Sequence, residues 1–251
     1  MPGQPLGASP ADGREALLVV TGHTLEAIAR GHGDFHDWFG ALAAPVSLRA
    51  VDVQAGETLP APGSVRAVIV TGSPAMVSHR EPWSEAAAAW LAEAVAAGTP
   101  ALGVCYGHQL LAHALGGRVG PNPLGRQIGT VTAALTEAAA GDALFRAAPR
   151  TFPAQASHLE SVLEPPPGAV PLATSPRDAH FALRFGPAAW GVQFHPEFSP
   201  EVTRGYVRER RDALRREGLD PDGLEAEVRE TPAASALVGR FLAWVDSRGQ
   251  G

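Results

Sequence analysis

The only cysteine of this 251-residue chain lies in the stretch GVCYGHQ, where Cys105 stands between Gly103 and Gly107. A nucleophile flanked by two glycines is typical of a sharp turn from a strand to a helix, because glycine has no Cβ atom to collide with neighbouring backbone. The start of the following helix also favours a negatively charged sulfur. A lone cysteine is more often a small buried hydrophobe, but this context favours a reactive thiol. We therefore predict that Cys105 is a nucleophile.

A partner for this thiol is predicted in a second stretch, WGVQFHPEF, in which an apolar strand ends near His195. A thiol nucleophile needs a base that a third group holds in place. Pro196 favours extended backbone at the residue before it, and extended geometry sends His195 and Glu197 to the same side. Glu197 can then accept a hydrogen bond from one ring nitrogen and leave the other facing the sulfur. The three side chains together indicate acyl-transfer chemistry.

The elements that must position these residues are predicted from short apolar runs that alternate with alanine-rich stretches of helical period. This alternation is typical of strand–helix–strand units around a largely parallel sheet, and hence of a single α/β domain. The predicted core strands are residues 16–21, 46–53, 66–71 and 101–105. Shorter runs separated by Pro, Gly and Asp predict hairpin strands, which makes the sheet mixed. These cover residues 127–134, 150–156, 169–174, 180–185 and 189–194.

Helices are predicted from Pro82, directly after Cys105, from Ser199 and over roughly residues 231–246. Proline at a first-turn position and glycine after the last turn are the signals that bound the first of these. The helix from Ser199 carries the arginine-rich stretch RERRDALRRE, which we interpret as a solvated face.

Composition excludes several classes of function. Hydrophobic residues make up 45% of the chain and charged residues 18%, as in ordinary folded domains. The formal net charge of -6 provides no positive field for nucleic acid or an anionic membrane surface. All 20 basic residues are arginine, which excludes a lysine Schiff base and the lysine of a phosphate-binding loop.

Location and domain limits are also predicted from the sequence. One cysteine cannot form an internal disulfide, and the Pro- and Gly-rich start lacks the features of a signal peptide. No apolar run is long enough to suggest a membrane span. We expect a cytoplasmic protein with a flexible tail over residues 1–15 and one domain over 16–251, with C-terminal helices from about residue 199.

Taken together, GVCYGHQ and FHPEF resemble the class I glutamine amidotransferase family, in particular the amidotransferase portion of GMP synthase. The resemblance extends from about residue 64 to residue 199. It implies a flavodoxin-like three-layer α/β/α domain with a mostly parallel mixed sheet, and a catalytic triad of Cys105, His195 and Glu197. It implies glutamine or a γ-glutamyl small molecule as substrate, and no cofactor.

The resemblance also assigns an oxyanion-binding role to the loop VTGSP, which follows the third core strand. Backbone N–H groups of Gly72 and Ser73 would act there together with that of Tyr106. Fixed donors at the point where negative charge develops contribute about as much as any single catalytic effect. The synthases carry a second glycine where this chain has Ser73, and a serine keeps the amide donor.

Substrate-binding residues are implied by two further matches. Gln109 corresponds to the glutamine of the family that helps to hold the substrate, and QASHLESV resembles the segment whose backbone contacts the amino-acid end of glutamine. Ser157 and His158 are the matching residues of that segment. Leu159 replaces a glycine of the synthases and Glu160 an aspartate, so the chemistry is better specified than the substrate.

The remaining histidines give a weaker signal. His32 and His36 could be metal ligands with Asp34, but no further ligand cluster at zinc-like spacing accompanies them. We therefore expect no metal site.

Three functions remain open from the sequence. The first is a stand-alone amidotransferase-like enzyme that hydrolyses glutamine and supplies ammonia to a separate synthase, since too few residues follow residue 199 for a synthase domain. The second is a γ-glutamyl peptidase or hydrolase that uses the same triad, because the attacked group is almost identical. The third is a non-catalytic binding or regulatory protein of this fold. The oligomeric state is not predicted.

Overall fold

The computed structural model describes residues 15–248, so the tail predicted over residues 1–15 lies almost wholly outside the described residues. The described part contains strands β1 (Ala16–Val20), β2 (Leu48–Asp52), β3 (Ala67–Val70), β4 (Ala101–Val104), β5 (Arg118–Pro121), β6 (Gln127–Leu135), β7 (Thr151–His158), β8 (Glu160–Glu164), β9 (Val170–Ser175), β10 (Asp178–Arg184) and β11 (Ala189–Val192).

The helices of the same part are α1 (Glu26–His32), α2 (Phe35–Ala43), α3 (Pro82–Ala96), α4 (Tyr106–Ala114), α5 (Pro200–Glu209), α6 (Arg211–Arg216), α7 (Pro221–Ala226) and α8 (Pro232–Arg248). Two short 3-10 helices, Val77–His79 and Glu137–Gly141, complete the regular structure of the described residues.

Nine strands form one mixed sheet in the order β2-β1-β3-β4-β11-β10-β9-β6-β7. The strands from β2 to β11 pair in parallel, and those from β11 to β7 pair antiparallel. β5 and β8 form a separate antiparallel ribbon. Because β4 and β11 are parallel neighbours in matched register, their carboxyl ends meet at one edge of the sheet.

Side chains of the parallel strands alternate between two apolar clusters, one on each face of the sheet. In β1, Leu18 and Val20 pack with α1, α2, α5 and α8, whereas Leu17 and Val19 pack with α3 and α4. Both faces are therefore covered by helices, as the continuously apolar strand sequences require. The predicted three-layer, single-domain α/β fold with a mixed sheet is confirmed.

Local differences from the predicted elements have physical causes. α1 and α2 are too short to show a long periodic pattern, although Asp34 caps α2 with its side chain. The β5–β8 ribbon was not predicted, because its strands are short and its sequence carries Pro and Gly. The helix expected from Ser199 is interrupted at Arg210, which ends α5 and precedes α6.

None of the described helices is long and apolar enough to cross a membrane.

Candidate active site

Cys105 occupies the turn between β4 and α4, with backbone angles φ 51° and ψ -100°. A positive φ is uncommon for a residue with a side chain, and conformations of this kind cluster at functional sites. The backbone N–H of Cys105 donates to the carbonyl of Val192 at 2.8 Å, which ties the turn to β11. The sulfur is thus held at the carboxyl end of β4 by the neighbouring strand.

The two glycines that flank Cys105 are required by close backbone contacts. A Cβ atom on Gly103 would lie 2.3 Å from the carbonyl oxygen of Gly107. A Cβ atom on Gly107 would lie 2.5 Å from the carbonyl oxygen of Val70 in β3. Neither backbone can move away freely, because Val70 belongs to β3 and Gly107 to α4, and both elements are part of the packed core. The strand-to-helix turn therefore depends on glycine at both positions.

His195 lies beyond the end of β11, where its backbone N–H donates to the carbonyl of Gln155 at 2.8 Å. Its Nδ1 atom is 2.7 Å from Oε1 of Glu197, and both side chains are buried. The ring stacks on Phe198, with ring centroids 3.9 Å apart. A buried carboxylate and a stacked aromatic ring thus fix the orientation of this imidazole.

The electrostatic surroundings favour a charged imidazole. Burial alone would lower the pKa of His195, but electrostatic interactions with Glu197 and Cys105 and the hydrogen bond with Glu197 raise it to about 10. The Glu197 carboxylate therefore stabilises the cationic ring. This is the charge pattern of an imidazolium that can deliver a proton.

Cys105 and His195 line the same small pocket, together with Ser73, Ser157, Tyr206 and Arg210. The pocket also contacts residues of the loop after β1 and Phe35 of α2. Its volume is about 20 Å³, which is room for about one water molecule. This volume is smaller than an amino-acid-sized ligand.

The predicted oxyanion loop lies at this pocket. A Cβ atom on Gly72 would come within 2.9 Å of Cε1 of His195, so the loop and the imidazole are in close contact. Ser73 lines the pocket, and its hydroxyl accepts a hydrogen bond from the N–H of Ala75 at 3.1 Å. Tyr106 is the first residue of α4, where backbone N–H groups have no acceptor within the helix.

Of the predicted substrate-binding residues, some line the pocket and others do not. Ser157 lines the pocket, and its carbonyl is 4.0 Å from the sulfur of Cys105. Gln109 is buried, and its Nε2 donates to the carbonyl of Glu160 at 2.7 Å and to Oε1 of Gln193 at 3.0 Å. Gln109 is not among the residues that line the pocket. Its side chain instead connects α4 to β8 and to Gln193, the residue after β11.

The His158 side chain is likewise not among those that line this pocket. It is fully buried, with Nε2 3.6 Å from Oδ2 of Asp178. Burial, with smaller effects from nearby positive charges, lowers the pKa of His158 to about 3, so its ring is neutral at physiological pH. A role for His158 in substrate binding would have to come from its backbone, as the sequence resemblance implies.

Asp34 and His36, which were considered as metal ligands, have other partners. Asp34 caps α2 and also contacts Nδ1 of His23 at 2.8 Å, while His36 pairs with Asp37. Within residues 15–248, no group of three or more His, Cys, Asp or Glu side chains could hold a metal ion.

Tyr206 and Arg210 are pocket residues that sequence reasoning missed. Both come from the region where α5 gives way to α6, and the arginine-rich sequence there gives no sign of which arginine turns inward. His23 also lines the pocket from the loop after β1. A lone histidine in a loop carries no pattern that would have identified it.

Comparisons with known proteins agree with this architecture. The family described as glutamine amidotransferase class-I matches residues 36–210. The chain therefore belongs to the class I glutamine amidotransferase family.

Among solved structures, a glutamine amidotransferase from Thermotoga maritima superposes with a TM-score of 0.68 at 21% identity, covering 93% of this chain and 98% of that one. A glutamine amido transferase from Methylobacillus flagellatus gives a TM-score of 0.64 at 22% identity, covering 93% and 90%. At such low identity these likenesses support the fold, and they confirm the predicted flavodoxin-like class.

Among curated relatives, a GMP synthase from Aeropyrum pernix is 35% identical over 142 residues, which is 57% of this chain and 25% of the relative. A glutamine-hydrolysing GMP synthase from Thermomicrobium roseum is 39% identical over 134 residues, or 53% of this chain and 24% of the relative. A γ-glutamyl-L-1-hydroxyisopropylamide hydrolase from a Pseudomonas species is 31% identical over 170 residues, or 64% and 56%. The chain thus spans between about a quarter and just over half of the length of these relatives.

Proposed function

We propose that this chain is an enzyme that hydrolyses the side-chain amide of glutamine, or of a closely related γ-glutamyl compound, through a thioester on Cys105. The observation that carries the proposal is the arrangement at the pocket. Cys105 lies on a strained turn, the imidazole of His195 lines the same pocket, and Glu197 holds the other ring nitrogen at 2.7 Å. These are the groups that a cysteine acyl transfer needs, in the roles that it requires.

In the first half of the reaction, the thiolate of Cys105 attacks the amide carbon and forms a carbon–sulfur bond. The carbonyl π electrons move to oxygen, and the backbone N–H groups of Gly72, Ser73 and Tyr106 stabilise the resulting oxyanion. The imidazolium of His195 gives its proton to the amide nitrogen as the carbon–nitrogen bond breaks. Ammonia, or an amine from a γ-glutamyl conjugate, leaves, and a thioester remains.

In the second half, water attacks the thioester carbon while the neutral imidazole of His195 takes a proton from it. The carbon–sulfur bond then breaks, its electron pair returns to sulfur, and glutamate is released. The imidazolium and the thiolate are restored, so the cycle needs no external oxidant, reductant or cofactor. Glu197 keeps the ring oriented and stabilises its positive charge in both halves.

Free glutamine is the first substrate candidate, and the relatives named as glutamine-hydrolysing GMP synthases support it. A γ-glutamyl amide is the second, and the Pseudomonas hydrolase favours it because its match covers a larger part of this chain. Both substrates present the same amide carbon to the sulfur. With glutamine as substrate, we propose that a separate synthase receives the ammonia.

The test is ammonia and amine release from L-glutamine and a panel of γ-glutamyl amides, measured for the wild-type chain and for Cys105→Ala. We expect turnover of at least one substrate by the wild type and its loss in the variant, with an unchanged circular dichroism spectrum. The preferred substrate decides between the two candidates. Comparable turnover by Cys105→Ala, or binding without turnover by the wild type, would contradict the proposal.

A further inference from the structure

Arg210 brings a positive charge to the edge of the catalytic pocket. It is the single residue between α5 and α6, with φ -103° and ψ 8°, and it lines the pocket together with Cys105 and His195. An unbroken helix would continue its turn past this position. Arg210 therefore lies where the helix is interrupted, at the pocket.

The guanidinium of Arg210 is incompletely paired within the described structure. Its Nη1 atom is buried and has no hydrogen-bond partner there. Burial lowers the pKa of Arg210, which reflects the cost of removing its charge from water. Nearby Arg126, by contrast, binds both carboxylate oxygens of Glu217, at 2.8 and 3.0 Å. Because a buried charge is costly without a partner, Arg210 is poised to gain from an anionic ligand.

A stack of rings connects Arg210 to the catalytic imidazole. The guanidinium lies over the ring of Tyr206, with Cζ 4.7 Å from the centroid. Tyr206 stacks on Phe198 at 4.8 Å, and Phe198 stacks on His195 at 3.9 Å. The Tyr206 hydroxyl is also anchored to Oγ1 of Thr24 at 2.7 Å. Arg210 is therefore held in a defined position relative to the reacting groups, as a specificity residue has to be.

We propose that Arg210 binds the free α-carboxylate of the γ-glutamyl substrate and so selects compounds that are amidated only at the γ position. This inference rests on the proposed function and assigns a residue to the α-carboxylate, the end of the substrate opposite the amide. A γ-glutamyl compound carries its carboxylate a short carbon chain away from the amide carbon that meets Cys105. Guanidinium and carboxylate form paired, charge-assisted hydrogen bonds, so removal of either charge weakens binding.

The experiment measures alkylation of Cys105 rather than turnover. The reagents are a chloroketone analogue of glutamine with a free α-carboxylate and the methyl ester of the same compound. We expect Arg210→Met to slow alkylation by the carboxylate reagent about 10- to 100-fold, the range for loss of a charged hydrogen bond. The rate with the ester should change less than about twofold, and Arg210→Lys should recover part of the loss, since it keeps the charge.

Arg215→Met is the matched control, because Arg215 lies in α6 shortly after Arg210, has a side chain that is 55% exposed and has only a loose contact with Asp212 at 3.7 Å. It should leave both alkylation rates unchanged.

Equal slowing with the two reagents in Arg210→Met, or no slowing with either, would overturn the carboxylate proposal. A third outcome is selective slowing in Arg210→Met together with a wild-type chain that is alkylated but never turns over γ-glutamyl amides. This outcome would support the role of Arg210 in carboxylate binding and overturn the proposed function. A wild-type chain that neither reagent alkylates would contradict both.

Discussion

The surroundings of His195 determine the protonation state of its imidazole, on which the proposed chemistry depends. Electrostatic interactions with Glu197 and Cys105 overcome the cost of burial and raise its pKa to about 10. A base with this pKa holds its proton through the neutral range. In the proposed mechanism, this proton is the one that His195 delivers to the leaving nitrogen during amide hydrolysis.

The first prediction concerns Glu197→Gln. The variant keeps a hydrogen-bonding group at 197 but removes the charge, so the pKa of His195 should fall below its wild-type value. We expect kcat/KM to fall about 10²- to 10⁴-fold, as for loss of the orienting carboxylate in acyl-transfer triads. Activity is lost as pH rises through the pKa of the imidazolium, so the basic limb of the pH–rate profile should move to lower pH. An unshifted limb would show that Glu197 does not act through His195.

The turn at Cys105 and the contact between His195 and Glu197 agree with the sequence prediction, whereas other residues that line the pocket were not predicted. Cys105 and His195 stand in motifs whose glycine and proline neighbours already specify a turn and an extended segment. Gln109 had no such constraint, and the structure places it among buried partners rather than on the pocket. Arg210 was not predicted, because it lies at a helix break with no glycine or proline to mark it. Tyr206 lies on the buried face of α5, and nothing in the sequence indicates that this face reaches the pocket.

Among the elements, the turn from β4 to α4 is the one on which the site depends. It brings α4 so close to β3 that Gly107 contacts the carbonyl of Val70. The predicted strands and the helices around this turn agree with the structure because long apolar runs and strong end signals define them. α1, α2 and the β5–β8 ribbon are short, and tertiary contacts rather than local pattern stabilise them.

The second prediction tests this turn with Gly107→Ala. The new Cβ atom would lie 2.5 Å from backbone oxygen, so the variant should lose about 1–3 kcal/mol of stability and most of its activity. Gly239→Ala is the control, because Gly239 lies within α8 and a Cβ atom there would meet nothing within 4 Å. It should gain about 0.5–1 kcal/mol. The measurement is urea unfolding; equal stability of the two variants would contradict the account of the turn.

On the scale of the whole molecule, the parallel sheet joins parts of the chain that are far apart in sequence. β4 and β11 are neighbours, so the cysteine turn and the histidine segment arrive at the same edge.

A second connection lies beside the pocket, where both ring nitrogens of His23 contact carboxylates, Asp34 at 2.8 Å and Asp52 at 2.9 Å. This cluster joins the end of β2 and the start of α2 to the loop after β1.

The third prediction concerns the pH dependence of folding stability in His23→Gln. Hydrogen bonds to Asp34 and Asp52 and their charges raise the pKa of His23 above its ordinary value of 6.5. The stabilisation is therefore complete below pH 6.5 and is lost as pH rises through the raised folded-state pKa. More than half of the side chain is exposed, so screening limits the effect to about 1 kcal/mol or less. Unfolding free energies at pH 6 and pH 9 should show a larger loss at pH 6; a pH-independent difference would contradict this assignment.

The central claim, that the sulfur of Cys105 takes the acyl group, is tested most directly by trapping that group. The wild-type chain is mixed with carbon-labelled L-glutamine or the preferred γ-glutamyl amide, quenched in acid during the first turnovers, digested and mapped. We predict label on the peptide that contains Cys105, its release by hydroxylamine as expected for a thioester, and its absence from Cys105→Ala. Product formation with no label on that peptide, or equal labelling of the variant, would contradict the mechanism.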